Sequence, residues 1–294
     1  VTRVCGNELE VTVLARDTWT LLPSVGASRT GGENKTNTGL SDPNFLGSGK
    51  SVGISHKKDA DRSETSVDFD DPNVLGSHWQ AGLSYDKRSD GRGRSAYLER
   101  PFYSELAEWR FGLSGEDDIR EQSRYVGAEA IADYRQDRDF ASVDVGWRLA
   151  ERNGSQLRLL AGFRYDARAF ERLPDETNLD LLPDDRTLSY PWVGFDYREN
   201  RFREMTNLTR LQRVEDVRDG FVWRTELGYS SPGLGATEDR AVLNMDFRDA
   251  LLATDTNYAS YGFSQSGTWR FDQHRFENLI GTLSLEYFHG GAVD

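Results

Sequence analysis

The sequence predicts an all-β protein, an antiparallel transmembrane β-barrel, on three observations. Period-two alternation of apolar and polar residues recurs from end to end, while amphipathic helical periodicity is almost absent. Many alternating stretches run to about 10 residues or more, where strands of globular proteins usually span about 5–6. The apolar faces carry Trp, Tyr or Phe near their ends, as interfacial girdles do, and the opposite faces hold Arg, Asp and Glu together with Gly. A soluble β-sandwich alternates in the same way, with its polar faces in water and its apolar faces joined in a core. Alternation alone does not separate the two.

The elements follow in chain order. Glu8-Leu9-Glu10-Val11-Thr12-Val13 reads as an edge strand of another unit, set off by Ala15-Arg16-Asp17. Strands are then expected over residues 19–30, 35–42, 50–58, 63–70, 77–87, 92–101, 106–115, 121–134, 139–150, 156–168, 187–199, 220–230, 239–248, 257–271 and 277–288. The clearest alternation sets Ala141, Val143, Val145, Trp147 and Leu149 against Ser142, Asp144, Gly146 and Arg148. Leu279, Gly281, Leu283, Leu285 and Tyr287 oppose Ile280, Thr282, Ser284 and Glu286 in the last strand. Short turns are expected at Gln136-Asp137 and Asn153-Gly154, and longer polar connections over residues 170–186 and 201–219. A closed barrel of this kind expects an even strand number. The odd count, and an ending at Gly290-Gly291-Ala292-Val293-Asp294 without a terminal aromatic residue, read as a piece of a longer protein. Taken alone, such a piece is expected to form an open, curved sheet with at least one unpaired edge.

Composition narrows the chemistry. The 294 residues carry a formal charge of −13, which argues against a nucleic-acid partner because that role calls for a basic face. No window approaches the ~20 consecutive apolar residues of a spanning helix, and a barrel needs none. Cys5 is the single cysteine, so neither an intramolecular disulfide nor a cysteine-built metal site can form from it. His56, His78, His274 and His289 show no ligand spacing. Glu116-Asp117-Asp118 and Pro183-Asp184-Asp185 read as solvated loop charge, not the paired carboxylates of a hydrolase. No serine stands in a nucleophile-elbow pattern, and Gly31-Gly32 and Gly290-Gly291 read as turns. No catalytic residue, metal or cofactor is expected.

One motif occurs twice. DPNFLGSGK begins at Asp42 and DPNVLGSHW at Asp71, each followed by an alternating stretch. Asp42, Pro43, Asn44 and Gly47, and again Asp71, Pro72, Asn73 and Gly76, suit tight strand connections better than a ligand loop used twice. The first copy, with the KSVGIS that follows Gly49, resembles the early hairpins of the BamA/TamA family, the bacterial surface-antigen barrels. There an Asp-Asn-aromatic-Leu-Gly-x-Gly turn joins the second strand to the third. The second copy sits where such barrels carry an Asn-Pro turn after the fourth strand. VTVLARDTWTLLPSVGAS (Val11–Ser28) resembles the passage from the last periplasmic POTRA domain into the first strand. ERPFYSELAEWRFGLS (Glu99–Ser114) resembles the sixth strand, a tight turn and the seventh. The likeness is specific over residues 9–115 and rests on strand pattern beyond them.

The resemblance implies a 16-stranded barrel in the bacterial outer membrane, with residues 1–18 ending a POTRA-like domain and its connector and residues 19–294 forming an incomplete barrel. It implies a non-enzymatic factor for outer-membrane protein assembly, insertion or polypeptide translocation, working without a cofactor. The implied partners are the outer-membrane lipid bilayer, client β-barrel or secreted polypeptides, and periplasmic chaperones or accessory subunits. The first strand would bear a lateral gate with Leu21, Pro23 and Gly26, where Pro23 suits an edge because it donates no ladder hydrogen bond. The family's inward loop carries an Arg-Gly-aromatic motif whose Arg docks on lumenal acids. The nearest match, Arg218, Gly220 and Phe221, has Asp219 inserted, and a chance strand start is the competing reading. The alternative function is a passive outer-membrane porin for small solutes.

Overall fold

The computed structural model describes residues 2–5, 8–11, 19–30, 32–60, 62–127, 129–174, 181–206, 214–254 and 257–289. The connector over residues 12–18, Gly31 and the Gly290-Gly291 pair lie outside them. Strands β1 (Thr2–Cys5) and β2 (Glu8–Val11) pair antiparallel as a small sheet of their own.

Fourteen strands make one antiparallel sheet. The first six are β3 (Leu22–Thr30), β4 (Glu33–Asp42), β5 (Ser51–Lys58), β6 (Ser63–Asp71), β7 (Gln80–Arg88) and β8 (Gly91–Arg100). They are followed by β9 (Trp109–Val126), β10 (Glu129–Arg152), β11 (Ser155–Arg172) and β12 (Arg186–Glu199). After an inserted hairpin of β13 (Phe202–Thr206) and β14 (Val214–Arg218), the sheet resumes with β15 (Val222–Ser230), β16 (Arg240–Ala253), β17 (Asn257–Arg270) and β18 (Arg275–His289). Each strand of the sheet pairs with its predecessor and successor in chain order, the arrangement that short connections favour. Among the described residues the sheet is not closed: β3 and β18 each have a single neighbour. Because the strand number is even, the start of β3 and the end of β18 lie at the same end of the sheet. Both Asp-Pro-Asn turns, the loop over residues 101–108, the Asn153-Gly154 turn and the β13–β14 hairpin share this terminal end.

Two expectations change. β10 runs straight through Gln136-Asp137, and Glu116-Asp117-Asp118 lies inside β9 rather than in a loop. The stretches expected at residues 106–115, 121–134 and 139–150 are therefore two strands, which turns the odd count into an even one. Cross-strand cations are the physical reason. Arg138 donates to both carboxylate oxygens of Glu116 at 3.1 Å and to Asp166 at 3.2 Å, and Arg88 reaches Asp118 at 2.5 Å. The polar stretch expected over residues 201–219 also contains the β13–β14 pair.

Register sorts the side chains into two faces. One carries Val25, Leu40, Ile54, Val67, Leu83, Leu98, Leu113, Val143, Phe163, Val193, Leu227 and Leu283, all exposed. The other carries Asp118, Arg158, Asp196, Glu226 and Arg240, all buried. Ion pairs on this second face skip a strand: Arg88 of β7 joins Asp118 of β9, and Arg164 of β11 joins Glu226 of β15. The charged face is thus the enclosed inner wall of a barrel-like curl and the apolar face is its outside, the reverse of a soluble sandwich.

Two clusters fill the inside. Leu160, Leu188, Tyr190, Trp192 and Val242 pack together, with Phe102 of the 101–108 loop folded onto them. Met205 and Val217 of the inserted hairpin pack with Tyr258, Ala250, Ala253 and Phe288.

Candidate functional site

The terminal end gathers the residues singled out in the sequence. Leu21 immediately precedes β3, the outermost strand, and Pro23 and Gly26 lie within it, paired in register with Leu40 and Asn37 of β4. Among the described residues β3 has β4 as its single neighbour, and such an edge strand is where proline is tolerated. On the other outermost strand, Leu283, Leu285 and Tyr287 stand exposed on the outer face. Among the described residues, two free edges therefore border the sheet, each with N–H and C=O groups able to accept an added strand.

The Asp-Pro-Asn turns are one structure built twice. The first joins the second strand of the sheet to the third, and the second follows the fourth. In each, the aspartate Oδ1 (Asp42, Asp71) accepts the N–H of Asn44 or Asn73 at 3.0 Å, an Asx turn that local side-chain chemistry favours. The Gly47 and Gly76 amides donate to the Asn44 and Asn73 carbonyls at 2.8 Å, and Phe45 and Val74 donate to Lys50 and Trp79 at 2.8 Å. Ser48 and Ser77 hydroxyls each close the turn on the carbonyl three residues back at 2.6 Å. Gly47 and Gly76 take φ of 71° and 72°, where glycine alone is unstrained. Pro43 and Pro72 sit exposed at the second position of each turn. The two turns are tied together by Lys50 Nζ and Asp71 Oδ2 at 3.0 Å.

Arg218, Gly220 and Phe221 mark the junction of β14 and β15. A Cβ on Gly220 would run into the Glu199 carbonyl oxygen, so glycine is required there by close backbone approach. Arg218 donates to the Glu199 carbonyl at 3.3 Å and to Asn200 Oδ1 at 2.9 Å, and its guanidinium covers the Phe202 ring. Its partners are a carbonyl and an amide, not the wall acids that the resemblance implies. The inserted Asp219 is buried and accepts from Arg201 at 3.1 Å. Tyr258 donates to the Arg218 carbonyl at 3.3 Å, so the hairpin is held against β17, beside a cavity of about 360 Å³.

The inner wall pairs its arginines with its acids, as both signs of charge on one strand face imply, and the structure supplies the individual partners. Arg88 sits between Glu64 (2.7 Å), Asp86 (3.1 Å) and Asp118 (2.5 Å), joining β6, β7 and β9. Arg158 stacks on Phe102, while Arg148 and Gln156 donate to the Glu105 carbonyl at 3.3 and 2.7 Å, so the 101–108 loop is drawn inward across β11. Parity within each strand was the available signal, since every one of these side chains falls on the polar face. Among the described residues, no group of three or more His, Cys, Asp or Glu side chains is placed to hold a metal ion. Among them also, no helix is long and apolar enough to cross a membrane. Compared with known proteins, the chain matches no family model and no curated sequence.

Proposed function

We propose that the protein is a β-barrel of the bacterial outer membrane whose incompletely paired seam serves protein assembly, insertion or translocation without enzymatic chemistry. The observation that carries this reading is the inversion of polarity. A single antiparallel sheet buries Arg, Asp and Glu inside and exposes a continuous apolar band outside, which lipid satisfies and water does not. The free edges of β3 and β18 support the second half of the reading, because an incoming strand can add to such an edge through main-chain hydrogen bonds. The likeness of the two early turns to surface-antigen barrels supports the same class. Client β-barrel or secreted polypeptides are then the partners, with periplasmic chaperones or accessory subunits delivering them. Phe102, Tyr190 and Trp192 fill part of the interior, which disfavours a passive porin with a wide lumen.

The test is reconstitution of the full-length protein in lipid vesicles, with a urea-denatured outer-membrane barrel supplied as client. Faster client folding than in empty vesicles, together with heat-modifiable gel migration of the protein itself, is the expected result. A large steady conductance without any effect on client folding would establish the porin instead.

A further inference from the structure

The hydrogen bonds of the repeated turn close across a left-handed residue, and in both copies that residue is a leucine where they would accept glycine. Leu46 and Leu75 adopt left-handed backbone, φ 53° in both, where a leucine is strained and glycine or asparagine is not. Their side chains are 87% and 100% exposed, and no hydrogen bond of the turn depends on them. Two copies of one turn therefore each hold a large apolar side chain away from the fold at a conformational cost. Phe45 stands exposed beside the first.

The outer band supplies the reason. On β11, Leu157, Leu159, Ala161, Phe163 and Tyr165 face outward, a span that rises about 27 Å along the strand. With a tilt of roughly 40° this approaches the ~25 Å apolar height of an outer-membrane barrel. On β5 the outward apolar residues are only Val52 and Ile54, and on β6 only Val67 and Phe69, about 7 Å of band. At the far end that band stops at Lys58 of β5 and Lys87 of β7, both on the outer face. It can be lengthened only at the terminal end, where Phe45, Leu46 and Leu75 stand exposed. The charges there point to the lipid class. Lys50 is engaged by Asp71, and Asp42 and Asp71 flank the tips, so among the described residues of the two turns no free cation waits for an anionic headgroup.

We infer that the twin turns are lipid anchors: Leu46 and Leu75 insert at the headgroup–acyl boundary of a zwitterionic leaflet and complete the apolar band where the strands are short. This rests on the transmembrane reading above, and the experiment separates the two. In the full-length protein with Cys5→Ser, an environment-sensitive fluorophore is attached at Leu46→Cys, Leu75→Cys or, on the outer face, Ile54→Cys. Each is reconstituted in phosphatidylcholine–phosphatidylethanolamine vesicles containing spin-labelled lipids. Blue-shifted emission quenched by shallow spin labels at 46 and 75, with deep quenching at 54, is expected. Quenching at 54 alone overturns the anchors and leaves the membrane barrel standing, whereas no quenching at any position removes both. Blue shift at 46 and 75 without lipid quenching means that protein covers the tips, and also overturns the proposal. A Leu46→Gly, Leu75→Gly double variant supplies an independent readout. Its insertion into preformed vesicles should slow by about tenfold, while its unfolding midpoint in detergent holds or rises because the left-handed strain is relieved. A lowered midpoint in detergent would assign the leucines to the fold and sink the anchor.

Discussion

Strands β3 to β8 are 8–10 residues long, whereas β9 to β12 run to 14–24. Their inner walls differ as much as their lengths. The early wall is rich in small residues, Ser24, Gly26, Gly39, Ser41, Gly53, Ser55, Ser66 and Ser84, and its side-chain contacts are polar ones such as Ser84 to Asp68 and Tyr97 to Asp70. The later wall bears Leu160, Tyr190 and Trp192 packed under Phe102, with Arg138 and Arg164 bonded across strands. One half is held chiefly by its backbone ladder and its repeated turns, the other by a side-chain core laid over the same ladder. Local opening free energy follows the density of buried side-chain contacts, so the β3 side of the sheet is the half that opens first. The seam proposed above belongs on that side.

The largest expected effect lies in the late half. Trp192→Ala removes a buried ring from the Leu160–Tyr190 cluster and should lower stability by about 3–5 kcal/mol in urea titrations of the detergent-solubilised protein. A loss below ~1 kcal/mol would mean that this cluster does not distinguish the halves.

Arg88 is the suture between the two regions, since it binds Glu64 and Asp118 on either side of the change in strand length. Arg88→Ala leaves the buried Asp118 with Arg120 alone, at 3.4 Å, and should cost about 3 kcal/mol in the same titration. Arg88→Met combined with Asp118→Leu should recover a large part of that loss, because the penalty lies in the uncompensated charge. If the pair substitution is no better than Arg88→Ala alone, packing of the arginine stem rather than charge joins the halves.

Glycines on the inner wall give a matched and smaller contrast. A Cβ on Gly228 would collide with the Tyr190 ring, so Gly228→Ala should cost about 1–3 kcal/mol. A Cβ on Gly53 would meet Ser41 Cβ at 3.9 Å and Asp68 Oδ2 at 4.0 Å, ordinary contacts, so Gly53→Ala should stay within about 0.5 kcal/mol of the parent. Equal losses at the two positions would show that the early wall is as filled as the late one.

What the sequence made legible is what local chemistry decides. The faces of β10 and β18 follow from a two-residue period, and the Asp-Pro-Asn turns follow from the conformational demands of Pro, Asn and Gly, all within a few residues. Pro23 at an edge was readable for the same reason. The interior of β9 was not, because the cation that makes Asp118 acceptable within a strand lies 30 residues away in β7. Gln136-Asp137 misread as a turn fails similarly, since it adjoins Arg138, whose acid partners stand on β9 and β11. The placement of Arg218 depended on β13 and β14 pairing with one another and docking on Tyr258, a tertiary event that no motif announces.

The smallest effect is expected at the free edge. Val25 is 86% exposed on β3, and β3 has β4 as its single neighbour. Val25→Ala removes two methyl groups that touch little protein, so the unfolding free energy in detergent should change by less than about 0.5 kcal/mol. The amides of β3 should also exchange with solvent sooner than those of β11, because opening the edge breaks one ladder, whereas exposing β11 means parting it from β10 or β12 and disturbing the Leu160 cluster. A loss of ~2 kcal/mol for Val25→Ala in the full-length protein, or slow exchange throughout β3, would mean that another strand or domain covers this edge. The contrast between a yielding half and a packed half would then fail at the strand where it predicts the most freedom.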